Sequence, residues 1–301
     1  MTIEVVAEGL MFTEGPVVLP NGDVLVVEVM GGRLTRISPD GRKTVVADTG
    51  GGPNGAAIGP GGLCFICNNG GMGPSISPDF LLPAEAPFDT PPGSIQTVDL
   101  ATGAVATLYA HTPETPFWGP NDLVFDAHGG FWFTDYGRDR GRIRQRGSVY
   151  YARADGSLIT ETIHPLDGPN GIGLSPDGRT LYVAETHSGH LWHFALSAPG
   201  VIDRAAGHGM LPGGSILSRA GPGQFLDSLA VDSGGYICCA SPGQGDMLIF
   251  PPHGGPPEAI RLPDFLPTNI AFGGPDRCTA FITLASSGRL IRMPWPCLAL
   301  L

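Results

Sequence analysis

The stretch NGIGLSPDGRTLYVAET, from Asn170 to Thr186, decides the fold class of this 301-residue chain. It contains a glycine-rich opening, a short apolar run, a Pro-Asp-Gly turn and a second run rich in β-forming residues. Two short strands joined by a tight turn are the building unit of all-β sandwiches, barrels and propellers. The phrase recurs along the chain, so its number and spacing select among these folds.

Six copies of the phrase occur, and each opens on a polar residue. The openings are Glu14, Asn54, Asn121, Asn170, Asp227 and Asn269. The intervals are 40, 67, 49, 57 and 42 residues, and a four-stranded propeller blade takes about 40–50 residues. We therefore predict an all-β, six-bladed β-propeller that forms a single domain over residues 1–301. The long second interval contains an insertion, at about residues 68–93, which we place near the mouth of the central channel.

Each copy continues into a third strand, and most continue into a fourth. In the fourth copy the predicted outer strand is GVIDRA, from Gly200 to Ala205. The sixth copy lacks a fourth strand, while TIEVVAE at residues 2–8 is left over at the N-terminus. We predict that this N-terminal strand completes the last blade and closes the ring, which removes a free sheet edge.

Composition excludes several classes of protein. The net charge is −11, so a nucleic-acid-binding face is not expected. Five arginines at residues 138–146 form the one basic cluster, either as a solvated loop or as an attraction for an anionic substrate. The sequence has neither a signal peptide nor an apolar stretch of membrane-spanning length. We predict a cytoplasmic protein with a small-molecule partner and no contact with membranes; the oligomeric state stays open.

The six cysteines favour buried free thiols over a metal site. Cys64 and Cys67 are three residues apart in a strand-like run, so their side chains point to opposite faces and are poorly placed to share a zinc ion. Cys238 and Cys239 have the same problem. No G-x-S-x-G elbow, phosphate-binding loop or dinucleotide fingerprint occurs, which disfavours serine-hydrolase, kinase and NAD chemistry.

The six opening residues form the candidate site. The first strand of a blade lines the channel, so the openings face one axis at one rim. Turn chemistry could explain an individual Asn or Asp before Gly, but not the whole set of two carboxylates and four carboxamides. Oxygen ligands of this kind select a hard cation, with Ca²⁺ favoured. Mg²⁺, Mn²⁺ and Fe²⁺ remain alternatives; Zn²⁺ is less favoured because the set contains no His or Cys.

The chain resembles the gluconolactonase, senescence-marker-protein and luciferin-regenerating-enzyme family of six-bladed propellers. The resemblance is carried by FTEGPVVLPNGDVLVVEV, GPNDLVFDAHGGFWFTD, GPNGIGLSPDGRTLYVAET and LDSLAVDSGGYICCA. It implies that the metal ligands are Glu14, Asn121, Asn170 and Asp227, and that Asn54 lies beside the substrate. Two departures stand out: Leu226 and Ser228 flank Asp227 where the family often has Pro-Asp-Gly, and the insertion at 68–93 is long.

The resemblance implies a metal-dependent lactonase that opens a sugar-acid or hydroxy-acid lactone. Asp227 is the first candidate for the catalytic base and Glu14 the second, although Asp227 could serve as a ligand alone. The candidate substrate-binding residues are Asn54, Asn121, Trp118, His187 and Asn269. His187 could donate a proton or belong to a surface loop. Two alternatives stay open: a related hydrolase or lyase acting on a phosphotriester or carbonyl compound, and a non-catalytic binding propeller with a structural metal.

Overall fold

The computed structural model describes residues 2–207, 213–274 and 278–295. Within these ranges the regular structure consists of 27 β-strands and one 3₁₀ turn at Pro60–Gly62. The strands form six blade sheets and one two-stranded hairpin. The predicted all-β class and the six-bladed arrangement are confirmed. In the described ranges no helix has the length and hydropathy needed to cross a membrane.

The blades follow one another along the chain, and all strand pairs within them are antiparallel. The chain begins with β1 (Glu4–Ala7), followed by β2 (Thr13–Val18), β3 (Val24–Glu28), β4 (Arg33–Ile37) and β5 (Lys43–Asp48) of blade 1, and by β6 (Pro53–Ile58), β7 (Cys64–Asn68), β8 (Ser94–Val98) and β9 (Val105–Tyr109) of blade 2. Blade 3 consists of β10 (Pro120–Phe125), β11 (Gly130–Asp135), β14 (Gly147–Arg153) and β15 (Ile159–Leu166), with the separate hairpin β12 (Asp139–Arg140) and β13 (Ile143–Arg144) between its second and third strands, and blade 4 consists of β16 (Pro169–Leu174), β17 (Thr180–Glu185), β18 (His190–Ala198), β19 (Val201–Ile202) and β20 (Gly214–Arg219). Blade 5 consists of β21 (Leu229–Val231), β22 (Ile237–Ser241), β23 (Asp246–Phe250) and β24 (Glu258–Arg261), and blade 6 contains β25 (Pro267–Gly273), β26 (Thr279–Leu284) and β27 (Arg289–Pro294).

The first strands of the blades surround the central axis. Each contacts the first strand of the next blade, in the order β2, β6, β10, β16, β21 and β25, and β25 contacts β2 again. This closed circle of contacts brings the six opening residues of the sequence repeat to one end of the channel.

The strand β1 belongs to blade 6, which is the last blade in the sequence. It pairs with β27, with Val5 opposite Ile291 and Glu4 opposite Arg292. The guanidinium of Arg292 also donates to the Glu4 carboxylate at 2.6 and 2.9 Å. The prediction that the N-terminal strand completes the last blade is confirmed.

The outer edge of blade 4 differs from the prediction. The two-residue strand β19 pairs with only the far end of β18, at Leu196 and Ala198. The chain then turns at Asp203, whose carboxylate accepts the Ala205 amide at 3.0 Å. The strand that pairs along the rest of β18 is β20, so the GVIDRA prediction for the outer strand is wrong over most of its length.

Tight turns join the first two strands of a blade, as the opening stretch of sequence predicts. In blade 4, Gly178 has a φ of +68°, which an L side chain rarely adopts. Its amide donates to the Ser175 carbonyl at 2.8 Å. The Asp177 carboxylate accepts the Arg179 amide at 3.0 Å and the Ser175 hydroxyl at 2.6 Å.

The apolar core lies between neighbouring blades, because alternate residues of a strand face opposite sides of its sheet. Val24 and Val26 of β3 pack toward blade 6, whereas Leu25 and Val27 pack toward blade 2. Equivalent clusters fill the other blade interfaces. Burying one such side chain contributes about 1.5–3 kcal/mol, so each blade is stabilised by both of its neighbours.

The cysteines follow the same alternation. Cys64 packs between blades 1 and 2, and Cys67 packs between blades 2 and 3. Both are free and buried, as are Cys238 and Cys239, which confirms the prediction for these four. Cys278 is disulfide-bonded, so the free-thiol prediction is wrong there. Cys297 lies outside the described residues.

Candidate functional site

The opening residues of the repeat hold equivalent positions at one end of the channel. Four are the second residue of the first strand in their blade, Asn269 is the third residue of β25, and Asp227 precedes β21. Asp227 is partly exposed, and the other five are buried. These positions are equivalent because each opening residue lies at the start of the first strand of its blade, which is the strand nearest the axis.

A cavity of about 400 Å³ opens at this end of the channel. Five of the six opening residues line it, together with the predicted wall residue Trp118. The five are Glu14, Asn54, Asn121, Asn170 and Asp227. The structure therefore brings together all four residues predicted as metal ligands.

Asn269 supports the cavity from behind its wall. Its Nδ2 donates to Oε2 of Glu14 at 2.9 Å, and its Oδ1 accepts the Ile270 amide at 2.7 Å. Both ends of the carboxamide are thus engaged within the protein. Asn269 is not among the residues that line the cavity, and its carboxamide orients the Glu14 carboxylate; its predicted contact with substrate stays a prediction.

Two amide oxygens in the cavity wall lack hydrogen-bond partners. Within the described residues, Oδ1 of Asn54 and Oδ1 of Asn121 are buried and accept no hydrogen bond. Leaving a buried polar atom unpaired costs about 1–3 kcal/mol, and native structures contain few such atoms. Their location in a cavity that also holds two carboxylates indicates that a ligand satisfies them.

The carboxyl groups of Glu14 and Asp227 are held in an environment that disfavours their charge. Burial raises the pKa of Glu14 well above its usual value, and the nearby Asp227 and Asp122 carboxylates raise it further, against hydrogen bonds from Asn269 and Gly15. Burial also raises the pKa of Asp227 to about 7, while hydrogen bonds from Asn170 and the Ser228 amide lower it.

Asp122 adds a third carboxyl group, which is buried just outside the cavity wall. Its Oδ1 accepts the Leu123 amide at 2.9 Å, and burial raises its pKa to about 7. Three acidic groups in so small a volume repel one another when ionised. A cation bound between the carboxylates of Glu14 and Asp227 would relieve that repulsion.

The donor set fits a hard divalent cation. Among the described residues, no three His, Cys, Asp or Glu side chains are grouped for a metal. The cavity offers two carboxylates and the amide oxygens of Asn121 and Asn170 instead. Carboxylate and carboxamide oxygens, completed by water, are typical ligands of Ca²⁺. Oδ1 of Asn170 accepts one long hydrogen bond, from Ser228 Oγ at 3.3 Å, so this oxygen can also bind a cation.

The loop after β11 supplies two further wall residues, Arg138 of the predicted basic cluster and Tyr136, which the sequence did not single out. Asp135 organises the loop, because its carboxylate accepts the amides of Trp118 at 2.8 Å, Gly119 at 2.7 Å and Gly137 at 3.0 Å. Tyr136 and Arg138 then line the cavity. The sequence places this loop, at residues 135–147, at the channel rim, because loops between second and third strands return there, but it does not show which side chains face the cavity.

His187 lies behind Tyr136 rather than on the cavity wall. Its Nε2 is 3.0 Å from the Tyr136 hydroxyl. Burial lowers the pKa of His187, and the Arg144 guanidinium lowers it further. Tyr136 and not His187 is among the residues that line the cavity, and the direct contact of His187 with substrate stays a prediction.

The insertion between β7 and β8 forms the outer wall of the cavity. Asn69, Met72 and residues 83–86 line it. The Arg138 guanidinium fixes the start and end of the insertion by donating to the carbonyls of Asn69 at 2.7 Å and Thr90 at 3.0 Å. Burial of this guanidinium lowers its pKa.

The middle of the insertion reaches across the channel mouth. The Leu81 amide donates to the Ser286 carbonyl of blade 6 at 2.8 Å, and the rings of Phe80 and Phe265 meet edge to face at 5.2 Å. The Arg140 guanidinium lies 4.5 Å from the Phe88 ring and 5.2 Å from the Trp118 ring. The arginine cluster is thus partly structural, and not simply a solvated loop.

A larger cavity of about 1230 Å³ lies at the opposite end of the channel. Turns between first and second strands line it, and among the described lining residues Asp232 is the one acidic residue. That carboxylate already accepts the amides of Gly234 and Tyr236, both at 2.9 Å. The described residues of this cavity include no convergent set of unpaired polar groups, so the candidate site is the cavity that Glu14 and Asp227 line.

Together these features define a class of protein: a six-bladed β-propeller with an oxygen-rich cavity at one end of its channel. The chain belongs to the SMP-30/gluconolactonase/LRE-like family, whose model matches residues 12–286. The resemblance stated from the sequence motifs is therefore confirmed.

Curated relatives match about half of the chain. A lactonase drp35 from Staphylococcus epidermidis is 36% identical over 145 residues, which are 48% of this chain and 42% of that protein. A lactonase drp35 from Staphylococcus aureus is 36% identical over 144 residues, with the same coverage. The matched region thus spans less than half the length of these relatives.

Solved structures share the fold over nearly the whole chain. A gluconolactonase from Xanthomonas campestris has 24% identity, covers 98% of this chain and 89% of its own, and gives a TM-score of 0.76. A calcium-binding regucalcin from Agrobacterium tumefaciens has 21% identity, covers 97% and 93%, and gives 0.75. At these identities the likeness establishes the propeller fold alone.

Proposed function

We propose that this chain hydrolyses a small lactone of the sugar-acid or hydroxy-acid type, with one divalent cation at the channel mouth. The observation that carries the proposal is the pair of unpartnered amide oxygens of Asn54 and Asn121 in the cavity that Glu14 and Asp227 line. The relatives named lactonase and gluconolactonase support this choice of reaction.

Glu14, Asn121, Asn170 and Asp227 would hold the cation. Ca²⁺ is the first choice, in keeping with a family relative described as calcium-binding, and Mg²⁺, Mn²⁺, Fe²⁺ and Zn²⁺ are alternatives. When bound, the cation would act as a Lewis acid toward the carbonyl oxygen of the lactone. The two carboxylates would balance its charge.

Asp227 is the proposed general base, which takes a proton from the attacking water. Its carboxylate is partly exposed in the cavity, so an attacking water can reach it. Glu14 is the second choice, because the Gly15 amide and Asn269 already donate to its Oε2 at 2.7 and 2.9 Å.

The remaining wall residues would position the lactone. The Trp118 indole supplies an apolar surface for the ring, and the carboxamide groups of Asn54 and Asn121 can donate hydrogen bonds from their nitrogen atoms to ester or hydroxyl oxygens. The insertion residue Met72 closes the outer side. This mixture of one aromatic wall and several polar groups is typical of a site for a small polar molecule.

The remaining predictions about partners and location are part of the proposal. A small molecule is the proposed partner, since the net charge of −11 disfavours nucleic acid. A cytoplasmic location is proposed from the sequence alone. The disulfide at Cys278 is unusual for that compartment.

Metal content and a lactone panel test the proposal. Elemental analysis of the untreated protein should find about one divalent cation per chain. EDTA should lower the rate of lactone opening by at least about tenfold, and Ca²⁺ should restore it. Asn121→Ala should lose both metal and activity, whereas Asn21→Ala, in an exposed turn, should keep both. An EDTA-treated protein that opens every lactone at the full rate would overturn the proposal.

Asp227→Asn separates the two possible roles of Asp227. A variant that retains its metal but loses at least about 100-fold in kcat identifies a general base. A variant that loses the metal identifies a ligand, and the water must then be activated by another group.

A further inference from the structure

Tyr136 and His187 form a hydrogen-bonded pair at the cavity wall. The Tyr136 hydroxyl is 3.0 Å from Nε2 of His187, and the two rings meet edge to face at 5.4 Å. Tyr136 lines the cavity that Asp227 and Glu14 also line. The pair therefore connects the cavity to a titratable group just outside it.

The local backbone fixes the position of this pair. The Tyr136 amide donates to the Gly119 carbonyl at 2.8 Å. A Cβ atom at Gly168 would lie 2.7 Å from Cδ2 of His187 and 3.1 Å from Cζ of Tyr136. Gly168, with a φ of +71°, thus allows both rings to pack against the main chain, so their contact is built into the fold.

Lactone opening requires two proton transfers, and the proposed role of Asp227 accounts for only one of them. Water needs a base, which Asp227 supplies, but the ring oxygen departs as an alkoxide and needs an acid. We propose that Tyr136 is the catalytic acid that protonates this alkoxide, and that His187 is a positioning residue that orients the Tyr136 hydroxyl. This inference rests on the proposed lactonase function.

The hydrogen bond between the two rings has a productive direction. A neutral imidazole carries a proton on one nitrogen only. When Nε2 of His187 carries it and donates to the tyrosine oxygen, the phenolic proton is free to point into the cavity. A phenol is a stronger acid than an aliphatic alcohol, so transfer of its proton to an alkoxide is favourable.

Charged groups around His187 are largely paired with one another. Those that face it are Arg144, Asp139, Asp167 and Glu185. Arg144 lies 3.1 Å from the Asp139 carboxylate and 3.6 Å from the Asp167 carboxylate. Glu185 accepts the Asp167 amide and the Trp192 indole N–H. Because these charged groups bind one another, Nε2 of His187 has the Tyr136 hydroxyl as its hydrogen-bond partner.

Hydrolysis begins with attack of water on the lactone carbonyl. The water oxygen bonds to the carbonyl carbon while its proton passes to Asp227. The bond between the carbonyl carbon and the ring oxygen then breaks, and the ring oxygen takes the proton from Tyr136. The tyrosinate regains a proton from solvent, while His187 keeps its Nε2 proton. Asp227 releases its proton to solvent and the new carboxylic acid ionises, so the products are one hydroxy-acid carboxylate and one released proton.

Tyr136→Phe tests the acid role through its dependence on the leaving group. For lactones that release an aliphatic alkoxide, kcat should fall by about 100-fold. For a lactone that releases a phenol, kcat should fall by less than about fivefold, because a phenolate leaves without prior protonation. The matched control is Tyr151→Phe, which loses a hydroxyl that donates to Asp126 at 2.8 Å away from the cavity, and should behave as wild type with both substrates.

His187 is tested by two substitutions and a double variant. His187→Gln keeps an N–H donor and should retain most of kcat. His187→Leu removes the donor, and should reproduce the leaving-group dependence of Tyr136→Phe. Because both residues serve one proton, Tyr136→Phe combined with His187→Leu should be no slower than Tyr136→Phe alone.

The results separate this inference from the proposed function. A wild-type protein with no lactonase activity overturns both. An active wild type in which Tyr136→Phe slows both kinds of lactone equally, or slows neither, overturns the acid role and leaves the lactonase proposal standing. Additive losses in the double variant overturn the positioning role of His187.

Discussion

Asn54 and Asn121 keep their side-chain oxygens buried and unpaired in the described part of the chain. The sequence predicted both residues at the rim, because each opens a copy of the repeat. It could not predict which oxygens stay unpaired, since that depends on whether neighbouring blades offer a donor. Asn269 has the same place in the repeat, yet both ends of its amide are occupied.

The raised pKa values of Glu14 and Asp227 predict how stability depends on pH. An acid whose pKa is higher in the folded than in the unfolded protein stabilises the fold below its unfolded pKa, and this contribution is lost as pH rises through the folded pKa. In EDTA, the melting temperature should therefore fall by at least about 5 °C between pH 5 and pH 8. Added Ca²⁺ should reduce this fall, because it favours the ionised carboxylates.

The control for this experiment is Glu14→Gln combined with Asp227→Asn. With both ionisable groups removed, the pH dependence in EDTA should flatten and Ca²⁺ should no longer raise the melting temperature. A wild-type protein whose stability in EDTA is constant over this range would show that these groups do not resist ionisation.

At the scale of elements, the ends of the second strands hold the cavity rim together. Residues at this position accept a backbone amide that leads into the first strand of the same blade. They are Glu28 for Met11, Asn68 for Gly52, Asp135 for Trp118 and Gly119, and Glu185 for Asp167. The strands could be predicted from the sequence but this role could not, because a polar residue at a strand end resembles an ordinary turn residue.

The insertion is predicted to depend on Arg138, which donates to the carbonyls of Asn69, Thr90 and Pro91. Arg138→Gln should raise KM by about tenfold or more and change kcat less, since charged hydrogen bonds contribute about 1.5–3 kcal/mol each. Proteolysis within residues 69–93 should become faster. Arg142→Gln, on the exposed part of the same hairpin, is the matched control. Unchanged KM and unchanged cleavage would show that the insertion is held by its apolar contacts.

At the scale of the molecule, much of the architecture could be predicted from the repeat, including the pairing of the chain's first strand with β27. The spacing of the copies contained that information. Blade 4 could not be predicted in full, because both β19 and β20 follow β18 and both carry β-forming residues. Tyr136 could not be singled out as a wall residue, because the repeat places its loop at the rim but does not show which of the loop's side chains face the cavity.

Deletion of residues 2–8 tests the closure of the ring. It removes β1 and exposes the edge of β27, so the melting temperature should fall by about 10 °C or more and the protein should aggregate more readily. Light scattering and thermal denaturation measure both effects. Glu4→Gln, which removes only the exposed ion pair with Arg292, should melt like the wild type. A deletion variant with the same melting temperature would show that blade 6 is stable with three strands.

The pairing of β1 with β27 has a consequence for biosynthesis. The ribosome makes Glu4–Ala7 early, but their partners Arg289–Pro294 emerge only after five intervening blades have been translated. Until β27 has been synthesised, the backbone N–H and C=O groups of β1 therefore have no strand to pair with. Chaperones can bind β1 during this time. Folding dominated by so distant a contact is slow, and a nascent chain stalled before β27 would expose two unprotected sheet edges to the cell's quality-control machinery.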